Sequence, residues 1–395
     1  MNKKISDIQI LRALAILFVL LQHFSLTPTI INIFPVKITL PLYIGVELFF
    51  VISGYVVARS FFSGTKITPI YFYSKRIFRI YPALFVFILL CYLSNLISTS
   101  INLPEGVVDI FSLPWDNLLK RCLKILLGIY INSIDALNTE GNPLAFGAMW
   151  SLSVEFQFYT FVFLLGLILV FVTKNNKYFI ENFFLFLFIF FYIYILISRL
   201  MILFNYSTNL FIKNYIVSYD FDFLLLGFVL AIIQKKEWIS PKFFLHKESA
   251  MFMSPILLVI PLFLTSISES PFAKEQIIME GISSPIIGLC FTILIYLAST
   301  SGCFPGEKSR LYSVLSWIGD RSYTIYLFHF PFFILIWILF YKLFPLAFSN
   351  DWNYGFAQMI VTALLLTPFV EFIYRYLELP LIEYSHKFIF KRLRP

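Results

Sequence analysis

Charge is scarce in this sequence. Asp, Glu, Lys and Arg make up 13% of its 395 residues, too few to coat a water-soluble protein of that size, and 59% of the chain is hydrophobic against about 45–50% in soluble domains. The deficit excludes a soluble enzyme and points to a polytopic membrane protein. Cysteine is also sparse: Cys91, Cys122, Cys290 and Cys303 form no CxxC or zinc-type spacing, so neither a disulfide framework nor a metal site is expected. The formal charge of +8 resides in short Lys/Arg clusters between apolar runs, a pattern of membrane orientation rather than of nucleic-acid binding. No small-residue cleavage site follows the apolar run after MNKK, and Arg12 interrupts that run, so it reads as a retained first helix and not as a signal peptide. Heptads, low-complexity linkers and internal repeats are absent, and the longest extramembrane piece is about 50 residues. Residues 1–395 are therefore expected to form one transmembrane domain without a separate soluble one.

Apolar runs of about 20 residues, the length that crosses a bilayer, are plentiful. Ten are predicted, at approximately 8–26, 42–62, 80–98, 149–172, 180–203, 214–233, 250–266, 279–298, 316–341 and 355–376. The expected fold is thus an all-α polytopic membrane protein of about ten transmembrane helices. An even number puts both termini on one side. With that side cytoplasmic, inner segments hold nineteen Lys and Arg against seven outside, which fixes the orientation. Between the third and fourth spans, LLKRCLKILLGIY (118–130) reads as an interfacial amphipathic helix.

Ionisable groups inside spans cost about 2.5–3.5 kcal/mol each on insertion scales, so they mark a cavity or a partner. In LRALAILFVLLQHF (11–24), Arg12 and His23 are eleven residues apart. That is about three turns, one helix face, and roughly 16 Å of rise. A snorkelling Arg12 and an end-capping His23 would explain them equally well in isolation. GVELFFVISGY (45–55) places Glu47 near the outer end of the second span, where it is expected beside His23 to orient the imidazole as a base. Ser53 and Gly54 lie deeper, either admitting a ligand or simply packing a helix. YSKRIFRIYP (73–82) reads as an inner loop whose Lys75, Arg76 and Arg79 either anchor the membrane or clamp phosphates. MWSLSVEFQFY (149–159) sets Trp150 at the outer interface, with Glu155 and Gln157 further in. SYTIYLFHFP (322–331) carries His329 just before Pro331, and His246 and His386 read as solvated.

Taken together, LRALAILFVLLQH, GVELFFVISGY, KRIFRIYP, WSLSVEFQFY, FDFLLLGFVLA (221–231) and SYTIYLFHFP, with a looser IYRYLELP (373–380), resemble acyltransferase family 3 of integral membrane O-acyltransferases. The resemblance implies transfer of an acyl group, usually acetyl, from cytoplasmic acyl-CoA. The acceptor would be a hydroxyl, typically of a cell-surface polysaccharide or its lipid-linked precursor, and the setting the bacterial cytoplasmic membrane. It implies Arg12, His23, Glu47 and Glu155 as catalytic residues and Arg76 and Arg79 as part of the acyl-CoA site, to which the reading of the residues themselves adds Lys75, Ser53 and Gly54. Trp150, Gln157 and His329 are candidates for an acceptor or cavity role. Acetyl-CoA enters as a donor substrate, with no bound cofactor and no metal. Some members carry an extracytoplasmic hydrolase-like domain; none is expected here, so transfer is direct or uses a separate partner. A transporter or flippase of a glycan or lipid precursor is the alternative, and a non-catalytic scaffold a weaker one.

Overall fold

A computed structural model describes residues 6–24, 29–33, 36–40, 42–100, 115–129, 148–203, 221–238, 247–268, 276–300, 302–304, 309–343 and 353–385. In chain order they form α1 (Ser6–Phe24), a hairpin of β1 (Thr29–Ile33) and β2 (Val36–Leu40), α2 (Ile44–Phe61), α3 (Pro69–Ser100) and α4 (Trp115–Leu126). There follow α5 (Met149–Val172), α6 (Lys177–Leu203), α7 (Phe221–Lys235), α8 (Lys247–Ser268) and α9 (Gln276–Thr300). The last are α10 (Arg310–Asp320), α11 (Ser322–Leu343), α12 (Asn353–Ile373), a π-helical turn (Tyr374–Glu378) and α13 (Leu379–Tyr384). His246, His386 and residues 214–220 of the sixth predicted span lie outside the described residues.

Where they are described the predicted spans are helical, the ninth being divided at Arg321 between α10 and α11, and among the described residues eight helices are long and apolar enough to cross a membrane. Helix α1 carries Asp7, Gln9, Arg12, Gln22 and His23 among its apolar residues, and the described part of the sixth predicted span, α7, is 15 residues long; neither is among the eight. Their outward faces suit lipid: Phe171, Phe252, Phe186 and Phe190 are 87%, 74%, 67% and 65% exposed, a disposition that only an apolar solvent tolerates on this scale. The β1–β2 hairpin, antiparallel with Thr29 opposite Leu40, is an addition that the hydropathy pattern does not reveal.

The described residues fall into two compact units, each discontinuous in sequence. The first comprises Met1–Thr68 and Leu164–Ser322. Its core is the seam between α2 and α7, which run parallel and so close that a Cβ on Gly54 would lie 2.0 Å from Leu224 O, and one on Gly227 2.0 Å from Val51 O. Small residues let backbones approach where lipid gives no hydrophobic drive to associate. Around the far end of this seam Phe62, Phe184, Phe188 and Phe228 pack edge to face. Arg199 and Asp222, each 4% exposed at the side chain, form an ion pair at 3.0 Å that ties α6 to α7.

The second unit comprises Pro69–Phe163 and Tyr323–Pro395. Helices α3 and α5 are antiparallel: Tyr73 stacks on Phe163 at 4.5 Å, and Tyr81 meets Phe156 at 5.8 Å. From that level α3 runs on nineteen residues to Ser100, whereas α5 begins only seven residues away at Met149, so α3 overshoots the start of α5 by roughly 18 Å. Trp150 lies in the first turn of α5. The π-helical turn falls just before Pro380, whose missing N–H relaxes the regular ladder there.

Candidate active site

In the first unit the chemistry sits on α1. The helix is unbroken from Ser6 to Phe24, so Arg12 and His23 do share one face, roughly 16 Å apart along the axis. Both side chains are half-buried. Height and rotation of α1 are set at both ends. Asp7, 4% exposed, accepts hydrogen bonds from Cys303 N (2.7 Å), Phe304 N (3.3 Å) and Tyr312 Oη (2.7 Å). Gly319 of α10 abuts Gln9, a Cβ there being 1.9 Å from Gln9 O. Toward the other end Gln22 Oε1 accepts from Leu42 N at 3.0 Å, and Gly45 lies against Ala15, Phe18 and Val19.

Glu47 is 6% exposed and lies in the first turn of α2. Gly54 is consumed by the α2–α7 seam, so the space it leaves is filled by backbone rather than open to a ligand. Ser53, its half-buried neighbour, is the member of the pair that stays off the seam.

In the second unit the expected loop around Lys75 is helical. Helix α3 begins at Pro69, eleven residues before the predicted span, so Lys75, Arg76 and Arg79 occupy its second and third turns. They differ in surroundings. Arg76 is 7% exposed, with its guanidinium over the rings of Phe72 at 5.6 Å and Tyr159 at 5.1 Å, which is inconsistent with an anchor in headgroups. Lys75 lies over Tyr71 at 5.1 Å and, like Arg79, is half-buried. Tyr159 in turn donates its phenol hydrogen to Glu155, so Arg76, Tyr159 and Glu155 form one buried polar line between α3 and α5. Gln157 leaves that line: its Nε2 donates to Gly128 O at 2.9 Å and holds the end of α4, whose Leu126 O accepts from Tyr81 Oη at 2.7 Å. Helix α4 itself appears as expected, showing Leu119 and Leu123 outward while Leu118, Arg121, Cys122 and Ile125 face the protein.

His329 is fully buried. Its Nδ1 lies 2.6 Å from Tyr326 O; a carbonyl only accepts, so Nδ1 carries the hydrogen and Nε2 is the basic nitrogen. The phenol of Tyr326 donates to Ala148 O at 2.6 Å and accepts from Ser151 Oγ at 2.5 Å, which fastens the start of α5 to α11. Tyr323 donates to Ile80 O at 2.8 Å, within electrostatic reach of Glu155, Glu378 and Arg79, and Glu378 accepts from Thr324. Sequence reasoning passed over Ser151, Tyr159, Tyr323, Tyr326 and Glu378. A signal existed: Ser151, Glu155 and Tyr159 repeat every four residues in one quoted motif, and so share a face.

Buried acids, arginines, tyrosines and histidines within apolar helices define a polytopic membrane protein with polar chemistry inside it. A family model described as an acyltransferase domain, acyltransferase family 3, matches residues 5–371; the chain belongs to this family of integral membrane acyltransferases. A relative from Komagataeibacter xylinus, carried under the name of a membrane-bound transacylase, BcsY, is 29% identical over 152 residues. The match spans 36% of this chain and 35% of that relative's length. No solved structure matches. Family membership favours acyl transfer over the transporter alternative.

Proposed function

We propose that the protein transfers an acyl group, acetyl in the first instance, from cytoplasmic acyl-CoA to a hydroxyl of a cell-surface polysaccharide or its lipid-linked precursor, in the bacterial inner membrane. The family supports acyl transfer, and the relative named as a membrane-bound transacylase agrees with it. The observation that carries the reading is the unbroken α1 with Arg12 and His23 on one face: a cation and a base separated along a helix that must pass through an apolar layer. Arg12 marks the donor's side, and His23 the acceptor's.

The chemistry runs as follows in this reading. His23 takes the proton of the acceptor hydroxyl while its oxygen attacks the thioester carbonyl. The tetrahedral oxyanion collapses, the carbon–sulfur bond breaks, and the proton on His23 goes to the departing CoA thiolate. The same residue acting as acyl carrier would form an acyl-imidazole first and pass the acyl group on. Lys75 and Arg79 recognise the phosphates of the donor, and Arg76, fixed by Tyr159 and Glu155, supports them. Glu47, buried in the first turn of α2, is the acidic residue that orients His23 in this reading.

The test is incubation of purified protein in detergent with labelled acetyl-CoA and hydroxylated glycan acceptors. Labelled product without two compartments is expected; transport of the glycan without labelling would refute the reading. Rapid quenching before acceptor is added separates the two roles of His23, because only the carrier route leaves label on the protein.

A further inference from the structure

At the end of the first unit where α2 and α7 finish, most cations are already engaged. Lys235 pairs with Glu181 and reaches Phe62 O at 3.4 Å. Lys236 donates to Asn182 Oδ1 at 2.7 Å and lies over the rings of Tyr178 and Trp238. Lys177 donates to Gly64 O. Arg59 is held in another way. Its Nη1 donates to Tyr55 Oη at 3.1 Å, and its guanidinium lies 5.6 Å from the centre of that ring. Tyr55, 1% exposed, donates onward to Gln234 Oε1 at 2.8 Å. Gln234 Nε2 donates to Ser299 Oγ at 2.8 Å, and Ser299 to Tyr296 O at 2.9 Å.

The relay crosses α2, α7 and α9, and every step donates in the same direction, so each hydroxyl in it is satisfied as both donor and acceptor. Its open end is a half-buried guanidinium. Among the described residues Arg59 has no ion pair with a carboxylate, and the relay uses one of its five N–H donors. An arginine in the last turn also complements the helix dipole, but that effect requires neither a buried tyrosine nor two further helices. A guanidinium oriented by neutral groups, with no carboxylate against it and most of its fork available among the described residues, is a preformed receptor for a phosphate.

We propose that Arg59, oriented by the Tyr55–Gln234–Ser299 relay, is a phosphate-binding residue that recognises the nucleotide phosphates of the acyl donor. This rests on the acyl-CoA reading above and adds to it a recognition residue outside the Lys75–Arg79 motif. Headgroup phosphates of anionic lipids share the chemistry, so the test separates the two sources.

Calorimetric titration of the purified full chain in lipid nanodiscs, with CoA and with phosphate-free pantetheine, provides that test. Arg59→Gln is expected to weaken CoA binding about tenfold or more and to leave pantetheine binding unchanged. Tyr55→Phe, which keeps the charge but frees its orientation, should weaken CoA to a smaller extent, and Arg59→Lys should fall between. Equal CoA affinity in Arg59→Gln and the parent protein overturns the proposal. So does an equal loss for CoA and pantetheine, which would report general damage. A difference seen only as thermal stabilisation by anionic lipid in the nanodisc assigns the site to headgroups and overturns the donor assignment. Failure of the parent protein itself to bind CoA would instead sink the acyl-CoA reading, and is distinguishable from all of these.

Discussion

His23 and Arg76 show how similar-looking intramembrane residues acquire different consequences. His23 is half-buried near the end of α1, whereas Arg76 is enclosed by Phe72, Tyr159 and their helices. His23→Ala should abolish acetyl transfer while leaving membrane abundance and melting temperature unaltered; activity retained by that variant removes His23 from the chemistry. Arg76→Ala should lower stability as well as activity, since it leaves Glu155 and Tyr159 without the cation above them, a loss of about 1–3 kcal/mol by analogy with other buried charged partners. Arg79→Ala, from a half-buried position, should weaken CoA binding at constant melting temperature. The contrast between the two arginines, read by thermal melts beside binding, is the check. Cys303 lies beyond the end of α9, and its thiol is pushed up to about 12, first by burial and then by the neighbouring Asp7 carboxylate. At pH 8 hardly any thiolate exists, so Cys303 should resist iodoacetamide until the protein is unfolded, as mass spectrometry of the labelled peptide would show.

Elements depend on how closely they can approach. The α2–α7 seam is set by Gly54 and Gly227, where even a methyl group would meet a carbonyl oxygen at 2.0 Å. Gly227→Ala should therefore force the helices apart at a cost of about 1–3 kcal/mol, seen as a fall of several degrees in the melting temperature and a lower yield of monodisperse protein. Unchanged stability would show that the seam can open without penalty. Helix α4 is fastened differently, by Tyr81 and Gln157 on its last carbonyls. Its attachment is polar, so losing one of these donors costs about 1 kcal/mol and leaves the rest of the fold intact.

At the scale of the molecule, the cations are expected to set the orientation. Taking Lys75, Arg76 and Arg79 out of the inner count, since they lie on α3, still leaves sixteen Lys and Arg against seven, so the positive-inside argument survives. A reporter fused after Pro395 should report from the cytoplasm, and an extracytoplasmic signal would invert the proposed topology. The division of the chain into two units places His23 and Arg12 in one and Glu155, Arg76 and Arg79 in the other.

The helical membrane fold was legible from hydropathy, because spanning a bilayer imposes length and apolarity locally, residue by residue. The same holds for the spacing of Arg12 and His23, which needs only the pitch of one helix. What could not be read was which side chain meets which across helices. The rotation of α2, for one, is fixed by Gly45 against α1 and Gly54 against α7, contacts with helices distant in sequence. Arg76 could be read as an anchor or as a phosphate clamp, and only the start of α3 at Pro69 and its packing against Tyr159 give it its surroundings. Hydropathy constrains how deep a residue sits, but a helix's rotation and its starting residue come from packing with neighbours far away in sequence, and only the tertiary structure supplies those.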